Sequence, residues 1–64
     1  MPVVTVEWVA GRTRAQKQAV AARITAAVAE EGGVRPEDVW MVFQDVDPGD
    51  WAVGGRLVDR PPDG

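Results

Sequence analysis

Two nearly continuous apolar stretches bracket one long Ala-rich segment, and that rhythm lays out the chain. Val3 to Val9 (VVTVEWV) is dense in β-branched and aromatic residues and stops at Gly11, which predicts a strand. Its apolar positions alternate only in part, as in a strand covered on both faces inside a larger assembly. From Arg14 to Glu31, residues Val20, Ile24, Ala27 and Val28 recur at helical spacing, while Lys17, Arg23 and Glu30 fall largely elsewhere. A helix with one apolar face is expected. Thr13 and Gln16 have the spacing of a capping box at its start, and Gly32 and Gly33 end it, because glycine accepts the left-handed conformation of a helix C-terminus.

Pro36, Glu37 and Asp38 predict a short turn, and Val39 to Val46 (VWMVFQDV) a second apolar strand. Strand, long helix and strand make a β-α-β unit, whose strands run parallel with a right-handed crossover. Asp47-Pro48-Gly49-Asp50 is a strong turn signal. Gly54-Gly55 then sits between the short apolar runs of Trp51 to Val58, predicting a small hairpin, and residues from about 59, with Arg60-Pro61-Pro62-Asp63-Gly64, read as a loose tail. The expected fold class is α+β, in a single domain over residues 1–64 without repeats.

Length changes this picture. A chain of 64 residues buries too little surface to offset its conformational entropy easily, and without Cys or His it lacks disulfides and most structural metal sites. With 45% apolar residues it carries more hydrophobic surface than one thin layer can hide, so self-association is expected. Pairing two units through their strands gives a four-stranded sheet with helices on one face. Stacking of such dimers would cover the other.

A formal charge of −3, with seven scattered Arg and Lys, argues against nucleic acid. Nothing resembles a signal peptide, and no apolar stretch is long enough for a membrane span, so a cytoplasmic protein is expected.

The absence of His and Cys also removes triads, thiol chemistry and most metal hydrolysis. Carboxylates, arginines and the amino terminus remain. Pro2 follows Met1 directly, and its small size permits removal of the initiator, which exposes a secondary amine. Model α-amino groups titrate near ~7.7–8.0, and an apolar pocket or a neighbouring cation disfavours the protonated form. A general base poised near neutrality results. Position alone also allows Pro2 to be a strand-opening residue with no N–H to satisfy.

Pro2-Val-Val-Thr-Val, Gly11-Arg12-Thr13 with Gln16-Lys17 at the helix start, and Trp51-Ala-Val-Gly54-Gly55 near the end together resemble the 4-oxalocrotonate tautomerase family over almost the whole chain. The resemblance implies the tautomerase fold, also that of macrophage migration inhibitory factor: a β-α-β unit with a C-terminal hairpin, usually built into hexamers as trimers of dimers. It implies no cofactor, no metal, and a small keto or enol acid as the partner. Pro2 takes the position of the family's proton-transferring proline, and Arg12 that of the arginine binding a distal carboxylate. Trp51 matches the aromatic wall of the pocket, to which Val9 and Val53 would add apolar surface. Trp40 departs from the pattern, standing where the archetypal enzymes carry a second arginine that stabilises charge on the carbonyl oxygen. Its indole N–H could donate one hydrogen bond, its ring could narrow the pocket, or it could serve an interface, and Arg56 or Arg60 of a neighbouring subunit could supply the missing cation. The related 3-chloroacrylic acid dehalogenases place a water-activating carboxylate where this chain has Val53; Asp50 and Glu7 do not match that position. The expected activity is a cofactor-independent keto-enol tautomerase acting on 2-hydroxydienoates or enolised 2-keto acids. The alternative is a non-catalytic, acid-binding oligomeric homologue that has lost the electrophilic arginine.

Overall fold

The computed structural model describes residues 1–59. Strands β1 (Val3–Val9) and β2 (Trp40–Val46) pair in parallel, from Val3 opposite Trp40 to Val9 opposite Val46. Helix α1 (Arg14–Gly32) makes the crossover between them. The two remaining strands, β3 (Ala52–Val53) and β4 (Arg56–Leu57), form a separate antiparallel hairpin. This is the expected β-α-β unit with a C-terminal hairpin.

Local chemistry explains most of the boundaries. The Thr13 hydroxyl accepts from the Gln16 N–H at 3.1 Å, and the Gln16 side chain accepts from the Thr13 N–H at 2.9 Å, so the capping box closes as its spacing predicted. Such a cap stabilises a helix by about 1 kcal/mol. At the other end Gly33, not Gly32, takes the left-handed conformation (φ 68°) and donates its N–H to the Ala29 carbonyl, so the helix runs one residue past Glu31. The expected turn at Pro36–Asp38 is one turn of 3₁₀ helix. Its last bond, from the Val39 N–H to the Pro36 carbonyl at 3.1 Å, keeps Val39 out of the sheet, and β2 starts at Trp40 instead. In the hairpin, Gly54 (φ 60°) and Gly55 (φ 84°) both occupy the positive-φ region that a two-residue turn with the right twist requires.

The sheet has two unlike faces. Toward α1, Val4, Val6, Trp8, Met41 and Phe43 are half-buried beneath Val20, Ala21, Ile24 and Val28 of the helix. The other face presents Val3, Thr5 and Glu7 beside Trp40, Val42 and Gln44, all exposed. Val3 keeps 58%, Trp40 55% and Val42 44% of its surface in water, and none of the described residues is fully buried. The strand expected to be covered on both faces is covered on one in a single chain. A layer without a buried centre needs a partner to complete its core. Among the described residues, no helix is long and apolar enough to cross a membrane. Of the predicted tail, only Asp59 is described; Arg60 to Gly64 lie outside the described residues.

Candidate active site

Parallel register decides which candidate residues meet. Pro2 and Trp40 share one end of the sheet, where the Trp40 N–H donates to the Pro2 carbonyl at 2.9 Å. Val9 closes the opposite end of β1, and Arg12 follows it by three residues. Trp51 and Val53 follow the same end of β2, through a 3₁₀ turn at Pro48–Asp50 whose Asp47 carboxylate accepts from the Gly49 N–H at 2.9 Å. Seven residues of strand span roughly 20 Å. A single chain therefore holds the six candidates in two separate groups, Pro2 with Trp40 at one end and Arg12 with Val9, Trp51 and Val53 toward the other.

Arg12 is anchored twice. One guanidinium N–H, on Nη1, donates to the Val9 carbonyl at 3.1 Å, and the guanidinium carbon lies 4.9 Å above the Trp8 ring centre. Trp8 is itself braced. Its ring stacks on Phe43 at 5.3 Å, and its indole N–H donates to the Asp45 carboxylate at 2.6 Å. Lys17, reaching from the first turns of α1, pairs with the second oxygen of that carboxylate. The bonds from Lys17 and Trp8 hold the Asp45 carboxyl below its usual value, against a smaller opposing effect of desolvation. Trp8, Asp45 and Lys17 were not among the candidates read from sequence, where Trp8 counts as a strand hydrophobe. An aromatic residue four positions before Arg12 was the available signal.

The electrostatics favour an anion here. Arg12, Arg14, Lys17 and Arg23, four of the seven basic residues, fall in a stretch from Trp8 to Ala29 that contains no acid. They lie around the first half of α1, where the Asp45 carboxylate pairs with Lys17 and leaves the arginines, and the helix has no acidic side chain in its first turn and no basic one in its last. That arrangement opposes the helix dipole, whose positive end adds to the same field. A groove of about 430 Å³ runs between α1 and β1, lined by Trp8, Arg12, Gln16, Ala19, Val20 and Arg23. Carboxylates and phosphates are the small anions whose geometry a guanidinium matches. Among the described residues, no cluster of three or more His, Cys, Asp and Glu could hold a metal ion.

The sequence model of the family described as "Tautomerase enzyme" matches residues 2–60. The chain belongs to the tautomerase family. A protein of Ralstonia nicotianae named a probable tautomerase is 42% identical over 62 residues, which cover 97% of this chain and 95% of that one. The crystal structure of a 4-oxalocrotonate tautomerase homologue superposes with a TM-score of 0.90 at 29% identity, covering 95% of this chain and 98% of the other. A heterohexameric 4-oxalocrotonate tautomerase from Chloroflexus aurantiacus superposes with a TM-score of 0.85 at 31% identity, over 91% and 94% of the two chains. The fold is thus that of the tautomerases, and oligomeric assembly is consistent with the family.

Proposed function

We propose that this tautomerase interconverts the enol and keto forms of small 2-keto acids or 2-hydroxydienoates in the cytoplasm, without a cofactor, and that Pro2 moves the proton. The observation carrying this reading is the placement of Pro2 and Arg12 beyond opposite ends of β1, a strand that pairs with β2 on one edge only among the described residues. Antiparallel pairing of two copies along that edge, centred on Val6, sets Pro2 opposite Ala10 of the second copy, two residues from the second copy's Arg12. One contact then builds two equivalent complete sites, and three such dimers make the hexamer that would also cover the bare sheet face.

In such a site Arg12 grips a carboxylate with the guanidinium donors not spent on Val9. The neutral amine of Pro2 takes the proton of the enol hydroxyl and the carbon–oxygen double bond forms; the carbon–carbon π pair of a simple enol is left to take a proton, while in a dienol the double bond shifts one place and the far pair takes it. The same amine, now protonated, delivers that proton to carbon, next to the carbonyl in a simple enol or at the far end of a dienol. Atoms and charge balance within the substrate. Trp51, Val9 and Val53 exclude water, which keeps the amine neutral and strengthens the grip of Arg12. With Trp40 in place of a cation, the carbonyl oxygen receives one indole hydrogen bond at most, and Arg12 is left to hold the single carboxylate of an aromatic monoacid such as phenylenolpyruvate.

Two variants separate the roles. Arg12→Ala removes a charge-assisted pair worth about 1.5–3 kcal/mol, so KM for phenylenolpyruvate should rise roughly 10- to 100-fold with a smaller change in kcat. An unchanged KM in steady-state assays refutes the anchor. Trp40→Arg supplies the missing cation and should raise kcat/KM for a dicarboxylic 2-hydroxydienoate by at least about 10-fold. No gain there would mean that position 40 does not face the substrate.

Trp40 is also what favours the second reading, a binding module that has lost its chemistry. In that case the Met-free protein binds phenylenolpyruvate without accelerating its ketonisation.

A further inference from the structure

We propose that Trp8 is a positioning residue for Arg12, and that the chain Lys17–Asp45–Trp8 sets the guanidinium for a carboxylate. The proposal rests on the reading of Arg12 as the carboxylate anchor, and it adds residues that this reading does not need.

Three contacts converge on one ring, and a fourth braces one of them. Phe43 holds one part of the Trp8 indole by stacking at 5.3 Å, and Arg12 lies over the ring at 4.9 Å. The indole N–H is tied to Asp45 at 2.6 Å, which fixes the ring's rotation about its own attachment. Asp45 stands directly opposite Trp8 in the parallel register, and its second oxygen is held by Lys17 from the helix. Strand, neighbouring strand and helix thus all brace the surface on which Arg12 rests. Arginine stacks on an aromatic face more favourably than it floats in water, and it keeps donors for a bidentate partner.

The consequence is preorganisation. Arg12 sits three residues past the end of β1, and one hydrogen bond to the Val9 carbonyl leaves a long side chain free to swing. An arginine that must be ordered when the ligand arrives loses affinity to that ordering, whereas one already seated does not. Trp8 supplies the seat without touching the ligand. Its own orientation depends on the Asp45 carboxylate being ionised and clamped.

The test uses the Met-free oligomer, with oligomeric mass and circular dichroism checked for each variant. Trp8→Leu should raise KM for phenylenolpyruvate about 3- to 30-fold, the range spanned by cation–π energies, and leave kcat within about 2-fold. Trp8→Phe, which keeps a stacking face but has no N–H for Asp45, and Asp45→Asn, which can still accept from the indole but loses the charge that Lys17 clamps, should give smaller rises, and they carry the test if Trp8→Leu does not assemble. In the Arg12→Ala background, Trp8→Leu should add nothing further. A merely structural Trp8 would weaken both backgrounds equally. Nuclear magnetic resonance adds a readout that needs no activity: the Arg12 side-chain methylene protons should be shifted by the indole ring current, and the shift should vanish in Trp8→Leu and shrink in Asp45→Asn. Unshifted Arg12 protons in the wild type, or an equal KM rise with and without Arg12, overturns the proposal. A wild type that does not ketonise phenylenolpyruvate defeats the tautomerase reading instead; the ring-current comparison and calorimetric titration with phenylenolpyruvate then decide the Trp8 proposal by themselves.

Discussion

Pro2→Ala, prepared as the Met-free protein, should lose about 10²- to 10⁴-fold in kcat for enol ketonisation, the range that a positioned general acid–base contributes. The loss should fall on kcat more than on KM, because Arg12 and the apolar wall still bind the acid while the proton has no well-placed carrier. Ala still offers a primary amine, so some activity should survive. What disappears is the ring that fixes the nitrogen at the head of β1, where the Pro2 carbonyl is held by the Trp40 N–H. Continuous ultraviolet assay of phenylenolpyruvate decides the matter. Equal rates for Pro2→Ala and wild type would remove Pro2 from the mechanism.

Val42→Lys should abolish assembly and, with it, cooperative folding. Val42 lies at the middle of the bare sheet face, directly opposite Thr5 and beside Trp40. In one chain it is 44% exposed and a lysine there would be harmless. In a stacked assembly the same position is internal, and an ammonium without a counter-charge costs several kcal/mol at every copy. Because no described residue is fully buried in the isolated chain, the protomer has little stability to spend before it unfolds. Native mass spectrometry should show monomer, and thermal unfolding should lose its sharp transition. Ala22→Lys, an exposed position on α1, provides the control and should assemble normally. A Val42→Lys protein of wild-type mass and melting behaviour contradicts the stacked arrangement.

Legibility followed the range of the interactions involved. The Thr13–Gln16 box, the left-handed glycine after α1 and the Gly54-Gly55 turn are set by neighbours within a few residues, and each could be read directly from the sequence. Boundaries moved by one residue where a local hydrogen bond competed with the sheet, as at Val39, whose N–H is taken by Pro36. Pro2 stood out in the sequence as an amine that removal of Met1 would expose, and Arg12 was named by the resemblance to the 4-oxalocrotonate tautomerase family. Their separation was implicit in the predicted strand Val3 to Val9 that lies between them. The brace beneath Arg12 was hidden: it joins residues 8, 17 and 45, and only the register opposes Trp8 to Asp45. The bare sheet face lies between these cases. Excess apolar residues announced it, and Val3, Trp40 and Val42 locate it.

The central claim is that a free Pro2 amine carries the proton. Its most direct test compares the ketonisation rate of phenylenolpyruvate for the Met-free protein with that of the same protein retaining Met1, both at one oligomeric mass. Retained Met1 turns the Pro2 nitrogen into an amide that cannot act as a base. The account predicts a rate at least about 10²-fold lower for the Met1 form. Equal rates in the two forms would contradict it.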